Sequence, residues 1–342
     1  MTARLTLVEE QVNVQLESFS IEQSAGKHDL ATVTLTNMPS FKIESGAPVW
    51  LHHDGAAGIV DFFGYVDTAL PYQSGDGKSG GVYFLLSAST ALRSGKAATW
   101  SNRSPFAIAK DIVTKYGLGL EMDKVGGNIG HFATTTESDW EALVRLATDQ
   151  GLILTADNTM VRLLDPAKVI RRAEASRLAP LQIAPGTRFI AEESLVPMGY
   201  ESYEFTGTDK FGVTFKVKVN EDSPVSKLVR EEVKSLGDAY AARDRVNRRA
   251  ASQNRATITT DYRPTIRSGL AVAIRQEDWT RHWFVLNALH TYSTTGRSIS
   301  TLTLCRQGSR ATPGSLPQAL KRPGSVLTNG RWRSASSWAR EL

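Results

Sequence analysis

The sequence predicts a mainly β protein of the α+β class, in which two antiparallel β-barrels flank an inserted module of two helices and a hairpin. Three observations carry this expectation. Apolar runs with two-residue alternation fill residues 1–93 and return over residues 256–306, two capped helical stripes lie between Ser104 and Gly151, and a pair of apolar runs separated by Asp157-Asn158 follows them. With 342 residues and 41% hydrophobic content, the chain is long enough for two or three compact domains with their own cores.

The first barrel is assigned to residues 1–93. Alternation at Val12, Val14 and Leu16 marks one strand, and others are expected over 31–35, 49–52, 59–66 and 82–87. The polar, glycine-rich run Ser74-Gly75-Asp76-Gly77-Lys78-Ser79-Gly80-Gly81 reads as an exposed, mobile hairpin loop.

The module is assigned to residues 94–168. Ser104 is placed to cap a helix that opens on Pro105 and closes at Gly117, with Phe106, Ala109, Ile112, Val113 and Tyr116 as its buried stripe. A second helix opens on Ser138 and Glu141 in capping-box spacing and stops at Gly151. Its apolar face holds Trp140, Leu143, Val144 and Ala147, while Arg145 and Asp149, four apart, are expected to pair. Phe106, Ile112, Tyr116, Trp140, Leu143 and Leu146 are therefore the expected core of the module. Residues 152–154 and 160–163 form the hairpin, Pro166 ends it, and 168–185 offers no regular element.

The second barrel is assigned to residues 169–306, with strands over 189–191, 200–205, 213–219, 256–260, 271–275, 283–292 and 298–306 and a helix inserted near 238–252. That helix offers Leu236, Tyr240, Val246 and Ala250 as an apolar stripe and carries Arg243, Arg245, Arg248 and Arg249. Such a charge run is ordinarily a solvated face. The sharper reading makes Arg245, Arg248 and Arg249 an intersubunit surface, since arginine pairs well with carboxylates across interfaces. Residues 307–342, with Pro313, Pro317 and Pro323 among glycines and serines, have the composition of a flexible basic tail.

The order of these motifs carries a resemblance. A helix rich in isoleucine ending in Tyr116-Gly117-Leu118, then Glu137-Ser138-Asp139-Trp140, then Arg145-Leu146-Ala147 and Gly151, resembles the phage late control D family of tail hub proteins. Asp29-Leu30-Ala31-Thr32-Val33-Thr34-Leu35 and Phe63-Gly64-Tyr65-Val66 look like strands of that family's first barrel. Arg263-Pro264-Thr265-Ile266-Arg267-Ser268-Gly269, Trp283-Phe284-Val285 and Thr301-Leu302-Thr303-Leu304 look like parts of its second. The likeness spans about residues 4–306, and its specificity lies in the order of the motifs. It implies a virion structural protein at a tail tip or baseplate: a homotrimeric hub of a phage tail or a phage-like contractile injection machine. Two barrels per subunit, similar to tail-tube subunits, would present six units to a sixfold tube and a threefold face to a spike or fibre. The implied partners are the tail tube or a distal tail protein, a spike, fibre or other tip protein, and the tape measure protein, with DNA passing through the lumen without tight binding.

Composition bounds the alternatives. No N-terminal basic-then-apolar segment reads as a signal peptide and no run approaches the roughly 20 apolar residues of a membrane span, so the chain is expected to be made in a cytoplasm. Cys305 is the single cysteine, which leaves no internal disulfide or cysteine metal cluster and reads as a buried, inert thiol. The net charge is +5 and the pI near 9.2. From Arg306 onward seven basic residues face only Glu341, a local +6 that exceeds the whole chain's charge, so residues 1–305 carry a net −1. A near-neutral body argues against a groove that holds a phosphate backbone.

No catalytic constellation emerges. Gly77-Lys78-Ser79 lacks the earlier glycine of a phosphate loop, because Tyr72 stands there. Histidines 28, 52, 53, 131, 282 and 290 have no ligand spacing, and His52 and His53 point to opposite faces of a strand, so no metal or cofactor is expected. Glu9-Glu10, Glu192-Glu193 and Glu231-Glu232 are adjacent pairs, unlike carboxylates that flank a cleft. The competing functions are a tail-associated cell-wall hydrolase and, behind it, a basic nucleic-acid-binding protein. In the tail, Trp332, Arg333, Trp338 and Arg340 place tryptophan in a basic context and are assigned to docking on a neighbouring protein.

Overall fold

The structure is a computed structural model that describes residues 3–7, 12–35, 43–53, 60–73, 79–181, 189–192, 202–208, 211–219, 228–250, 254–276, 279–306, 325–328 and 331–334. It is mainly β and its principal sheet curls into a half-barrel.

Seven strands come from the first part of the chain: β1 (Ala3–Leu7), β2 (Val12–Gln15), β3 (Ser18–Ser24), β4 (Leu30–Leu35), β5 (Pro48–His53), β6 (Phe62–Gln73) and β7 (Ser79–Ser87). Two of these, β1 and β3, were not expected. In β3 only Phe19 and Ile21 are apolar on the inward face, and the third inward residue is Gln23, so the hydrophobic alternation is short. The β6–β7 pairing reaches Gln73 opposite Ser79, which confines the expected loop to residues 74–78, outside the described residues.

The middle region holds β8 (Ala98–Arg103), α1 (Pro105–Thr114), β9 (Gly119–Met122), β10 (Ile129–Thr134), α2 (Asp139–Gln150), β11 (Ile153–Asp157), β12 (Met160–Leu164) and α3 (Pro166–Ala175). The caps form as their residue types require. Ser104 Oγ accepts from Ala107 N at 3.2 Å, while Ser138 and Glu141 exchange bonds reciprocally and Gly151 ends α2 at φ +66°. β11 and β12 pair antiparallel around Asn158, whose side-chain oxygen accepts from Phe63 N at 2.8 Å. Strands β8 and β10 pair with each other and β9 joins β12 in parallel, additions that the sequence pattern did not reveal.

Several side-chain assignments change. α1 buries Pro105, Ile108, Ala109, Ile112 and Val113, a stripe that leaves Phe106 outside it, 48% exposed. Phe106 lies at the margin of that stripe, about 20° around the helix from Val113 but two turns nearer the N-terminus, so helical spacing alone does not decide its exposure. Tyr116 is half-buried, with its hydroxyl donating to Asp139 Oδ2 at 2.8 Å. Ile112, Trp140, Leu143 and Leu146 are buried as expected. Arg145 does not form its hydrogen-bonded pair with Asp149: its guanidinium meets Glu137 in a two-pronged contact, donates to Ala133 O at 2.7 Å and lies 4.1 Å from the centre of the Phe132 ring. Glu137 precedes the helix and meets the Nε–Nη2 edge of that guanidinium side-on.

α3 lies where no regular element was expected. Asp165 caps it, Oδ1 accepting from Ala167 N at 3.0 Å, and Pro166 occupies the first turn, so the proline that ends the hairpin also starts a helix. α3 runs across residue 168, the expected module boundary.

The remaining elements are β13 (Pro180–Leu181), β14 (Ile190–Glu192), β15 (Ser202–Thr208), β16 (Thr214–Val219), β17 (Leu228–Glu232), α4 (Leu236–Ala250), β18 (Asn254–Asp261), β19 (Ala271–Gln276), β20 (Trp279–Ser293), β21 (Ile299–Arg306), β22 (Ser325–Thr328) and β23 (Arg331–Ser334). β15, β16 and β17 make a separate three-stranded sheet on which α4 packs. The face α4 buries is Ala239, Ala242 and Val246 against Phe205 and Val217, whereas Leu236 and Tyr240 are exposed. Small residues let the helix approach closely, which displaces the expected stripe of larger ones. Within the stretch expected to be a linker, β22 and β23 pair with Leu327 opposite Trp332. Asn329-Gly330, a turn-favouring dipeptide between them, was the overlooked signal.

The strands of the two ends of the chain form one sheet. Its order is β14-β18-β21-β20-β3-β4-β7-β6-β5-β1-β2, with β19 on β20 and β13 on β19. The join is antiparallel, from Asn287 opposite Ser24 to Ser293 opposite Ser18. Beside it Phe19 stacks on Tyr292 at 5.1 Å and meets Tyr262 edge-on at 5.9 Å.

Trp140 ties the helical region to this sheet. Its ring is 6% exposed and lies 4.2 Å from His28, and its Nε1 donates to Gly26 O at 3.1 Å. Trp140→Ala should lower stability by about 3–5 kcal/mol, read as the chemical-denaturation midpoint; an unmoved midpoint would mean that the ring contributes nothing.

Candidate functional site

Polar side chains from distant parts of the chain meet where the loop from Tyr262 to Leu270, between β18 and β19, lies against the helical region. Arg267 reaches both the carboxylate of Asp157, at the end of β11, and the carbonyl of Val60. Asp157 also accepts from Arg162 at 3.1 Å, and Arg162 Nε donates to Glu121 at 3.0 Å. The Arg267 and Asp157 side chains are 12% and 14% exposed. An ion pair this enclosed contributes little net energy when whole, but removing Asp157 would strand the Arg267 charge, a cost of about 3–5 kcal/mol, whereas Asp157 without Arg267 keeps Arg162.

The same loop is held from its other side. His290 is buried, with Nδ1 2.8 Å from Ser300 Oγ and Nε2 2.9 Å from Ile266 O. Of the two neutral tautomers, only that protonated on Nε2 suits both partners: Nε2–H donates to the carbonyl and Nδ1 accepts from the serine hydroxyl. Ser300 Oγ in turn accepts from Arg263 N at 2.8 Å. Burial holds the His290 pKa down to about 4, with Arg267 acting in the same direction against the Ile266 bond. Gly269 has φ +90°, and a Cβ there would lie 2.8 Å from Thr155 Oγ1, so the loop backbone sits directly on β11.

On the N-terminal side, Asp29 Oδ2 accepts from Gln23 Nε2 at 3.1 Å. Burial pushes the Asp29 carboxyl well above the ordinary range, and Asp157 adds to this. Asp29 Oδ1 and Gln23 Oε1 have no hydrogen-bond partner among the described residues.

The surface carries two further features. A cleft of about 600 Å³ opens between α3 and the loop, with Leu178 and Leu270 on its rim. On the sheet, a row across six strands runs Leu289, Glu22, Leu30, Leu86, Tyr65 and Pro48. Leu289, Leu30 and Tyr65 are exposed there, with Phe84 and Trp50 exposed on the neighbouring strand positions. That much apolar area on one sheet face is characteristic of an interaction surface.

No family model and no curated protein matches the chain. Solved structures do. The 43 kDa tail protein of prophage MuSo2 from Shewanella oneidensis aligns over 90% of this chain and 98% of its own, with TM-score 0.62 and 15% identity. A tail protein from Neisseria meningitidis MC58 aligns over 90% and 97%, with TM-score 0.64 and 12% identity. The fold is that of phage tail proteins. An E. coli type VI secretion component that itself has structural similarity to the T4 tail proteins gp27 and gp5 shares this tail-protein fold, with TM-score 0.61 and 12% identity over 96% of this chain and 87% of that one.

Within the tail-protein fold, the residues singled out by sequence are dispersed. Arg245 is half-buried on α4, Arg248 and Arg249 follow on the same helix, and the side chains of the latter two lie outside the described residues. Trp332 and Arg333 lie on β23, where the backbone alone is described; Trp338 and Arg340 lie outside. Ser79 opens a strand, not the helix a phosphate loop needs, and Gly77 and Lys78 lie outside. Of the acidic pairs, Glu231 and Glu232 are consecutive on β17, while Glu9, Glu10 and Glu193 lie outside. Among the described residues no group of three or more His, Cys, Asp or Glu is placed to hold a metal. Cys305 is buried and burial pushes its thiol up to about 12. Sequence reasoning missed Arg267, Asp157, Asp29 and the role of His290, because their partners lie anywhere from 5 to 207 residues away and share no spacing rule.

The unfolded chain protonates His290 at the ordinary value near 6.5, whereas the folded protein does so only near 4. The unfolded state therefore binds more protons in that window, and stability falls as pH drops through it. Between pH 6.5 and pH 4, His290→Gln should lose about 3 kcal/mol less stability than the unsubstituted protein, measured by urea unfolding at each pH. Equal losses would show that His290 is not held neutral.

Proposed function

We propose that the chain is a structural component of a phage tail or of a phage-like contractile injection machine, working as a homotrimeric hub at the tail tip or baseplate. The observation that carries this is the agreement of fold with tail proteins over nearly the full length of both partners. In this reading, residues 1–93 and 169–306 supply two tube-like barrels per subunit, residues 94–168 form a docking module outside them, and residues 307–342 form a tail that captures a neighbouring protein. Three copies offer six barrel units to a sixfold tube and a threefold face to a spike or fibre. The work of such a protein is shape and contact rather than turnover. The exposed apolar row on the sheet supports an assembly role, since a ring of identical subunits closes by fitting one surface of each copy to a different surface of the next. The near-neutral charge of residues 1–305 suits a lumen through which DNA passes without tight binding.

Native mass of the full-length protein, followed by negative-stain averages, tests the reading. A threefold ring with a central opening is expected; a monomer that stays monomeric when mixed with tube and spike proteins would overturn it. Deleting residues 310–342 should abolish capture of a tail partner in pull-down while leaving the denaturation midpoint of the body unchanged, and undiminished capture would remove the docking role of Trp332, Arg333, Trp338 and Arg340.

A further inference from the structure

We propose that the cleft between α3 and the 263–272 segment is a docking groove for an acidic segment of a partner protein that inserts large apolar side chains. The inference stands on the groove's own geometry and holds whether or not the assembly is a threefold hub. The volume, about 600 Å³, lies within the range of roughly 300–1,000 Å³ typical of sites that enclose a ligand. Its lining is apolar in depth, with Leu164, Val169 and Ile266 among the wall residues. Leu178 and Leu270 at the rim are 41% and 38% exposed, so two leucines face water at the mouth of one groove.

The walls are fixed before any partner arrives. Ile266 O is bonded to His290, Arg263 N to Ser300 and Gly269 N to Val285 O, while the Asp165 cap and the Arg172–Asp123 ion pair hold α3. A preformed groove avoids the ordering cost that weakens association with mobile surfaces.

Charge selects the occupant. Three arginines and one glutamate line the groove. Arg162 and Arg172 are already paired with carboxylates. Arg263 is exposed, and its guanidinium has no hydrogen-bond or ion-pair partner among the described residues. The adjoining helix adds Lys168, which faces Asp165 at 4.0 Å, and Arg171, against Glu174. A basic rim around an apolar trough fits a segment with leucine-like anchors and carboxylates beside them, as in helix-in-groove recognition, and disfavours a basic segment.

The test is fluorescence anisotropy on the full-length protein with three labelled amphipathic peptides: leucine with glutamate, leucine with lysine, and serine with glutamate. Saturable binding of the leucine–glutamate peptide is expected, weakened by salt, with the other two peptides at least about tenfold weaker. Arg263→Glu and Leu270→Ser, both at exposed positions, should each weaken that binding about tenfold with unchanged denaturation midpoints, and Leu178→Ser serves as a second rim variant should either midpoint move. Absence of saturable binding, equal binding of the lysine peptide, or indifference to all three variants overturns the proposal. So does a change of native mass in the variants without loss of peptide binding, which would assign the groove to a second copy of the chain. Displacement of the peptide by anionic vesicles but not by excess unlabelled leucine–glutamate peptide would likewise overturn it in favour of a membrane surface.

Discussion

The antiparallel ladder between β3 and β20 is the contact on which the rest of the architecture depends. It joins residues 18–24 to residues 287–293 in the interior of the sheet, so removing it would divide one curved surface into two. Closing a loop of that length costs conformational entropy that grows only slowly with length, and the aromatic packing of Phe19, Tyr262 and Tyr292 beside the ladder offsets it with buried area. Tyr262 also brings its hydroxyl to 3.4 Å from Asp61, so the apolar seam continues into a polar one.

That polar seam explains how a single loop can serve three regions. Arg267 binds the end of β11 and the carbonyl of Val60, while His290 and Ser300 hold the backbone just before it, at Ile266 and Arg263. Ionic groups so enclosed add specificity of arrangement more than net stability: once the loop is displaced, Asp157 and Arg267 cannot both find partners of equal quality. The cleft beside α3 is a by-product of this placement, since its far wall is the loop that the seam immobilises.

Much of this was legible in the residues themselves. The caps at Ser104 and Ser138, the stop at Gly151, the hairpin around Asn158 and the long strands ending in Arg306 follow from local rules that act within a turn or a ladder. What stayed hidden was of two kinds. β3 and α3 have weak local signals, the first because Gln23 stands where an apolar residue is expected and the second because a proline such as Pro166 suits the end of a strand and the first turn of a helix alike. The burial of Ile108 in place of Phe106, the choice of Glu137 over Asp149 by Arg145, and the meeting of Asp157 with Arg267 depend on where other elements lie, which no spacing encodes.

The position of β3 also sets an order of events during synthesis. Its edge opposite β4 has no strand to pair with until residues 287–293 leave the ribosome, after most of the chain has been made. For that interval an open edge with Phe19 and Ile21 on one face is a template for wrong pairing. Glu22, pointing to the other face in the middle of that edge and accepting from Ser24 in the finished sheet, is a charge that a trespassing strand would have to accommodate while the nascent chain is incomplete.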